Sequence, residues 1–229
     1  MARASFRGRS GGAGRGARTA GGRTIVLTRP AGRNERLAER LRGAGHEVVV
    51  CPLVEVEPIE TGPVALDGYD WLVLTSATGA EELRKRASGR PDKVAAIGPT
   101  TADAWGKADL VASVSTQEGL LAELPRPAGR VLFAGAEGAR RLLVDELGAD
   151  FVALYRTRPV VPGEPLEGDL AVVASPSAAR ALAAVAPAIP VVSIGPETSA
   201  AAREVGLVVL AEAKEPGVDG IALAVVEAG

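Results

Sequence analysis

The chain has 229 residues, a formal charge of −2 at pH 7, 47% apolar residues and 3% aromatics. That length suffices for one large domain or two small ones with a sizeable core, and so few aromatics exclude an extended base-stacking surface. The single cysteine, Cys51, excludes an intrachain disulfide and a cysteine metal cluster, and the single histidine, His46, excludes His–Cys nucleophile pairs and most zinc sites.

Residues 1–22 (MARASFRGRSGGAGRGARTAGG) hold five Arg and no acid, so the remainder carries −7 (−2 less +5). An acidic body excludes nucleic-acid binding as the main task. The segment offers almost nothing to bury and is expected to be a disordered tail whose deletion leaves folding unchanged. A targeting peptide and an RNA-binding arm are the alternatives. TIVLTRP then opens the ordered chain as a strand covered on both faces. Residues 33–44 follow as a helix, with Leu37 and Leu41 on one face and Gly43 and Gly45 ending it. HEVVVCPLVEVEPIE is a strand running into a charged, Pro-containing extension. DWLVLTSATGAEEL, KVAAIGPTTADAW and DLVASVSTQEGLLAEL are then three strand–turn–helix units. The most apolar later stretch, near residues 181–194, is broken by Pro187 and Pro190 and is too short to span a bilayer. The protein is therefore expected to be soluble and cytoplasmic, with no membrane or nucleic-acid partner.

The layout restarts at residue 130. RVLFAGAEGARRLLVDELGADFVALYRTRPVVPGEP repeats the plan of residues 23–60, and DLAVVASPSAARAL matches DWLVLTSATGAEEL, setting Ser175 against Ser76 and Ser177 against Thr78. VVSIGPETSAAAREVGL matches the segment from Val94. The chain reads as an internal duplication of parallel-sheet units, with halves near 23–126 and 129–229. Two domain plans remain open. Each half is one domain, or the Pro-rich extensions near 54–60 and 156–165 are crossings that make the middle one domain and the two ends another.

The two Gly-Pro turns stand out. Gly98 and Gly195 are expected to take backbone angles that a Cβ forbids. Pro99 and Pro196 suit the first turn of a helix, and Thr101 and Thr198 are expected beside the free N–H groups of that turn. Ser76–Gly79 and Ser175–Ala178 make two more such starts, and residues 135–139 a possible fifth. Arg29, just past the first strand, could offer a forked donor to a carboxylate. Each Ser or Thr here also reads as a plain helix cap. GAEG at 135–138 lacks the spacing of a dinucleotide turn. Asp67, Asp70, Asp92 and Asp109 read as solvated loop acids and Trp105 as core. Arg140 and Arg141 read as exposed helix positions that could reach a cleft.

VLTRP, LTSATGAEEL, AAIGPTTADA, ALYRT, ASPSAARAL and SIGPETSAAAREVGL, in this order, resemble uroporphyrinogen-III synthase over about residues 23–229. The sequence departs from that family at TSATGA, where bacterial members often carry Asn, and at ETS. The resemblance implies two α/β, flavodoxin-like parallel-sheet domains, 23–54 plus 162–229 and 57–157, joined by a two-stranded linker with the site in the cleft between them. It implies a monomer that needs no metal and no organic cofactor. The implied substrate is hydroxymethylbilane, a small linear tetrapyrrole with eight carboxylates. It loses water and closes to uroporphyrinogen III with its last ring inverted. Tyr155 is the family-matched candidate donor to the departing hydroxyl, the other reading being an interface tyrosine that packs the linker. Arg29, Ser76, Thr78, Gly98, Thr101, Ser175, Ser177, Gly195 and Thr198 are the implied binding positions. A two-lobed small-ligand receptor and a flavodoxin-like regulatory or nucleotide-binding pair are the rival readings.

Overall fold

Apolar runs four to six residues long alternate with amphipathic runs, and each becomes the element its period dictates. A computed structural model describes residues 22–60 and 62–229; the expectation for the Arg/Gly-rich tail falls almost wholly outside them. The chain opens with β1 (Thr24–Leu27), α1 (Glu35–Gly43), β2 (Glu47–Val50) and β3 (Val54–Pro58). It continues with β4 (Val64–Ala65), β5 (Trp71–Leu74), α2 (Ala77–Arg84), β6 (Ala87–Ser88), β7 (Lys93–Ala96), α3 (Pro99–Trp105), β8 (Leu110–Val111) and α4 (Gln117–Glu123). Then come β9 (Val131–Ala136), α5 (Leu142–Leu147) and the long β10 (Asp150–Pro159). The last third is β11 (Leu170–Val173), α6 (Pro176–Val185), β12 (Val191–Ser193), α7 (Pro196–Glu204), β13 (Val209–Glu212) and α8 (Val218–Glu227).

This is an α/β fold with mostly parallel sheets. One five-stranded sheet has the order β13-β12-β11-β1-β2, all parallel, and draws its strands from both ends of the chain. A six-stranded sheet, β3-β10-β9-β5-β7-β8, draws its strands from the middle and is parallel except for one pair. The exception is β3 with the end of β10, antiparallel from Tyr155↔Pro58 to Pro159↔Val54. The Pro-and-charge-rich extensions of the sequence thus pair with each other. Arg158 is bonded to Glu57 across that ladder.

Successive residues of a strand face opposite sides, so a strand covered twice must be apolar throughout. Ile25 and Leu27 pack with Leu37, Leu41, Ile221 and Val225 of α1 and α8. Val26, between them, packs the other way with Ala178 and Leu182 of α6 and Ala202 of α7. In the middle sheet Leu72 and Leu74 meet Ala80 and Leu83 of α2, while Val73 and Phe133 meet Leu120 and Leu143 of α4 and α5.

Three of the four acids read as solvated do more than that. Asp67, Asp70 and Asp109 accept backbone N–H bonds from Arg90 (3.1 Å), Arg130 (2.6 Å) and Val94 (2.8 Å), pinning the loops between parallel strands. Trp105 is only half-buried against the α2 side of the core. Among the described residues no helix is long and apolar enough to cross a membrane.

Candidate active site

In a parallel sheet every strand points its carboxyl end the same way, and the helix that follows starts there with free N–H groups. Arg29 follows β1, Ser76 and Thr78 follow β5, and Gly98 and Thr101 follow β7. Ser175 and Ser177 follow β11, and Gly195 and Thr198 follow β12. All nine predicted binding positions therefore lie on carboxyl edges, four on the middle sheet and five on the other. The edges approach each other. Arg33, in the loop after β1, is bonded through both its terminal nitrogens to Glu81 of α2, one of them at 3.2 Å. Arg140, in the loop after β9, reaches Glu197 at the start of α7 at 3.2 Å and is also bonded to Glu118 of α4.

Tyr155 occupies the last parallel position of β10, opposite Ala136, immediately where the strand turns over to pair with β3. It is 8% exposed. Its phenol oxygen lies 3.0 Å from the Ser76 hydroxyl, which also accepts the Gly79 N–H at 3.0 Å as the cap of α2. Burial pushes the phenol above its ordinary value, and the Ser76 hydrogen bond opposes the shift. Tyr155 is thus a neutral hydroxyl donor rather than a ready proton source. Ser175 caps α6 by accepting the Ala178 N–H at 3.2 Å and touches Ser177 at 3.0 Å.

Arg29 is half-buried, and its carbonyl is held by the Asn34 side-chain amide at 2.9 Å. Among the described residues its guanidinium has no hydrogen-bond or ion-pair partner. Burial first, then the neighbouring Arg33, lowers its pKa from the usual arginine value. An incoming carboxylate would relieve both effects.

Several expectations need correction. Gly98 (φ −175°) and Gly195 (φ 168°) are extended, a conformation open to any residue. At Gly98 a Cβ would lie 2.9 Å from the rotatable Ser115 Oγ and otherwise in ordinary contact; at Gly195 a Cβ would meet nothing within 4 Å. Thr101 and Thr198 do not cap their helices, which lack any side-chain cap. They are the third residues of α3 and α7, each 4% exposed, and among the described residues neither hydroxyl has a partner. Residues 135–139 are no helix start: β9 continues to Ala136 and α5 begins only at Leu142. The further start is instead Thr116, which caps α4 through the Gly119 N–H at 3.0 Å. Arg140 is a loop residue in an ion-pair cluster, and Arg141 lies with its guanidinium 5.2 Å from the Phe151 ring centre.

Sequence reasoning missed Glu81, Glu118 and Glu197 as partners, and it missed Gln117. The last is 4% exposed and donates its side-chain amide to the Arg140 carbonyl at 3.2 Å, fixing the loop that carries Arg140. Two grooves lie elsewhere, one of about 340 Å³ between α4 and α5 and one between α1 and α8. Neither touches a predicted site residue. Among the described residues no group of three or more His, Cys, Asp or Glu side chains is placed to hold a metal ion.

A family model described as uroporphyrinogen-III synthase HemD matches residues 35–222, most of the chain. The chain belongs to the uroporphyrinogen-III synthase family. Uroporphyrinogen-III synthase from Synechococcus elongatus is 31% identical over 146 residues, which cover 55% of this chain and 55% of that one. A relative from Methanocaldococcus jannaschii with the same family designation is 29% identical over 147 residues, 58% of this chain and 61% of the other. The matched part thus spans little more than half the length of these curated relatives. A crystal structure of a mutant uroporphyrinogen III synthase from Thermus thermophilus superimposes with a TM-score of 0.61 at 16% identity. The match covers 90% of this chain and 98% of that one, so the fold is that of the uroporphyrinogen-III synthases.

Proposed function

We propose that this family member is a uroporphyrinogen-III synthase, a cyclising lyase that turns hydroxymethylbilane into uroporphyrinogen III with loss of water. The observation that carries the reading is the buried Tyr155 phenol on Ser76, at the carboxyl edge of the middle sheet, an edge rich in helix starts. The two sheets with their helices act as two lobes, residues 23–54 plus 162–229 and 57–157, with the β3–β10 ladder as the linker. The substrate lies between the lobes.

The protein body is acidic while the substrate carries eight carboxylates, so affinity must come from local donors. The N–H groups at the starts of α2, α3, α6 and α7 supply them, each with the positive end of a helix dipole. Arg29 adds a forked cation whose guanidinium has no hydrogen-bond partner among the described residues. The Thr78, Thr101, Ser177 and Thr198 hydroxyls take further contacts. Tyr155 donates its hydrogen bond to the hydroxyl that leaves from the hydroxymethyl carbon. That oxygen takes up one proton from solvent and departs as water, the last pyrrole ring attacks the carbocation-like azafulvene left behind, and the proton that ring loses on closure restores the balance. Holding that ring inverted is conformational work, which the surrounding lobes perform by orientation. The protein acts as a monomer in the cytoplasm and needs no cofactor for these steps.

The test is turnover. Hydroxymethylbilane closes spontaneously, so its disappearance is followed with and without protein. A rate proportional to protein concentration and far above the spontaneous one is expected. Binding without acceleration would instead make the chain a two-lobed receptor.

Gly195 probes the backbone donors. Gly195→Ala adds a methyl into open space, so its cost is that of Ala at a helix N-cap, under about 1 kcal/mol, or a Tm shift within about 4 °C. If a substrate carboxylate sits on this turn, the methyl obstructs a charge-assisted hydrogen bond and KM rises about ten-fold. Thermal melts and initial rates on one preparation check both halves, and an unchanged KM removes this turn from the site.

A further inference from the structure

The ion pairs that bridge the two carboxyl edges have a feature their role as ties leaves unexplained. In each, an arginine sits in the loop directly after a sheet strand, where a ligand would lie, and a glutamate from across the gap holds it. Arg33 follows β1 and meets Glu81; Arg140 follows β9 and meets Glu197 and Glu118. The four side chains of the two crossing pairs are 31–49% exposed. Pairs this wet contribute little to stability, about 0–1 kcal/mol each, so they are easily exchanged.

We propose that Arg33 and Arg140 are carboxylate-binding residues for the linear tetrapyrrole, and that Glu81 and Glu197 hold their places until substrate carboxylates displace them. This rests on the synthase reading above and names the cations of its site. The exchange needs no change in charge state: each arginine trades one carboxylate for another, and the freed glutamates turn to water. Arg140 is already pre-positioned, since Gln117 fixes its carbonyl from a buried position. Arg33 shares its loop with Arg29, so two guanidiniums stand together after β1, with Glu81 reaching in from the other edge and the Glu35 carboxylate acting on Arg29 from α1. Burial and Arg33 together disfavour the charge on Arg29, which sharpens the need for a second anion there.

The exchange predicts opposite signs for the two members of a pair. Removing a placeholder removes a competitor, so Glu81→Gln and Glu197→Gln lower KM about two- to five-fold, the scale of an exposed pair. Removing the receiver costs a forked, charge-assisted contact, so Arg33→Gln and Arg140→Gln raise KM about ten-fold or more with kcat nearly unchanged. The salt dependence of KM is expected to become shallower in the arginine variants only. Structural ties would give the same sign for both members, and that outcome overturns the proposal, as does no change in any of the four. Wild-type protein is run alongside. If it neither turns over hydroxymethylbilane nor binds the closed octacarboxylate macrocycle by fluorescence titration, the synthase reading itself fails. If it turns over normally while the variants share one sign, only the exchange fails.

Discussion

Tyr155→Phe is expected to lower kcat by roughly ten- to several-hundred-fold, within or just below the usual range for general-acid help. The ring stays in its apolar setting, and Ser76 keeps its bond to the Gly79 N–H, so the cap of α2 survives. What disappears is one hydroxyl, 3.0 Å from Ser76. Its loss costs about 1 kcal/mol of stability, so a melting curve separates a folding defect from a chemical one. If the phenol holds the leaving hydroxyl as proposed, that bond strengthens as the C–O bond breaks, so kcat is expected to fall while KM holds. The pH profile gives a second check. Burial raises the phenol above its ordinary value of 10.0, so the folded protein keeps it neutral where a free tyrosine begins to ionise. Its contribution to stability is complete below the unfolded value and is lost as pH rises through the higher folded one. No loss of kcat below about pH 9 is expected from Tyr155. If the Phe variant keeps full turnover, backbone donors and conformational control do all the work.

The second large effect is on stability. Phe133 is fully buried in the centre of β9, with the Phe151 ring centre 5.2 Å away and Leu120 and Leu143 above it. Phe133→Ala leaves a cavity that this tightly covered strand cannot close, at a cost of about 3–5 kcal/mol. Against a typical total of about 5–15 kcal/mol, that removes a large part of the stability. A Tm fall of roughly 6–20 °C is expected for bodies of this size. Calorimetry adds a test of the lobe assignment. If the middle sheet is a separate lobe, the variant melts in two steps, with the five-stranded sheet unfolding near the wild-type temperature. One shared, lowered transition would make the two sheets a single cooperative unit.

Periodicity carried most of the secondary structure. Ile25, Val26 and Leu27 are apolar in succession because β1 is covered on both faces, and Leu37 and Leu41 repeat at helical spacing because one side of α1 is buried. Ser76 and Ser175 were legible as caps because a cap bond is made within four residues. Local signals failed where the reason was not local. Gly98 reads as a turn glycine, yet its backbone is extended and its nearest neighbour is the Ser115 hydroxyl of the next unit. Residues 135–139 look like a helix start, but pairing with β10 keeps β9 extended to Ala136. The glutamates that hold Arg33 and Arg140 lie 48 residues away and 22 and 57 residues away respectively, so no spacing rule reaches them. Tyr155 enters as a candidate only through the family resemblance, since a tyrosine ending a strand carries no chemistry by itself.

The most direct measurement is the isomer of the product. Hydroxymethylbilane is incubated with purified protein, the product is oxidised, and the type I and type III porphyrins are separated by chromatography. Spontaneous closure joins the ring ends directly and gives type I. A cleft that holds the last ring inverted is expected to give predominantly type III, in proportion to the protein added. A product that remains type I at every protein concentration would contradict the assignment.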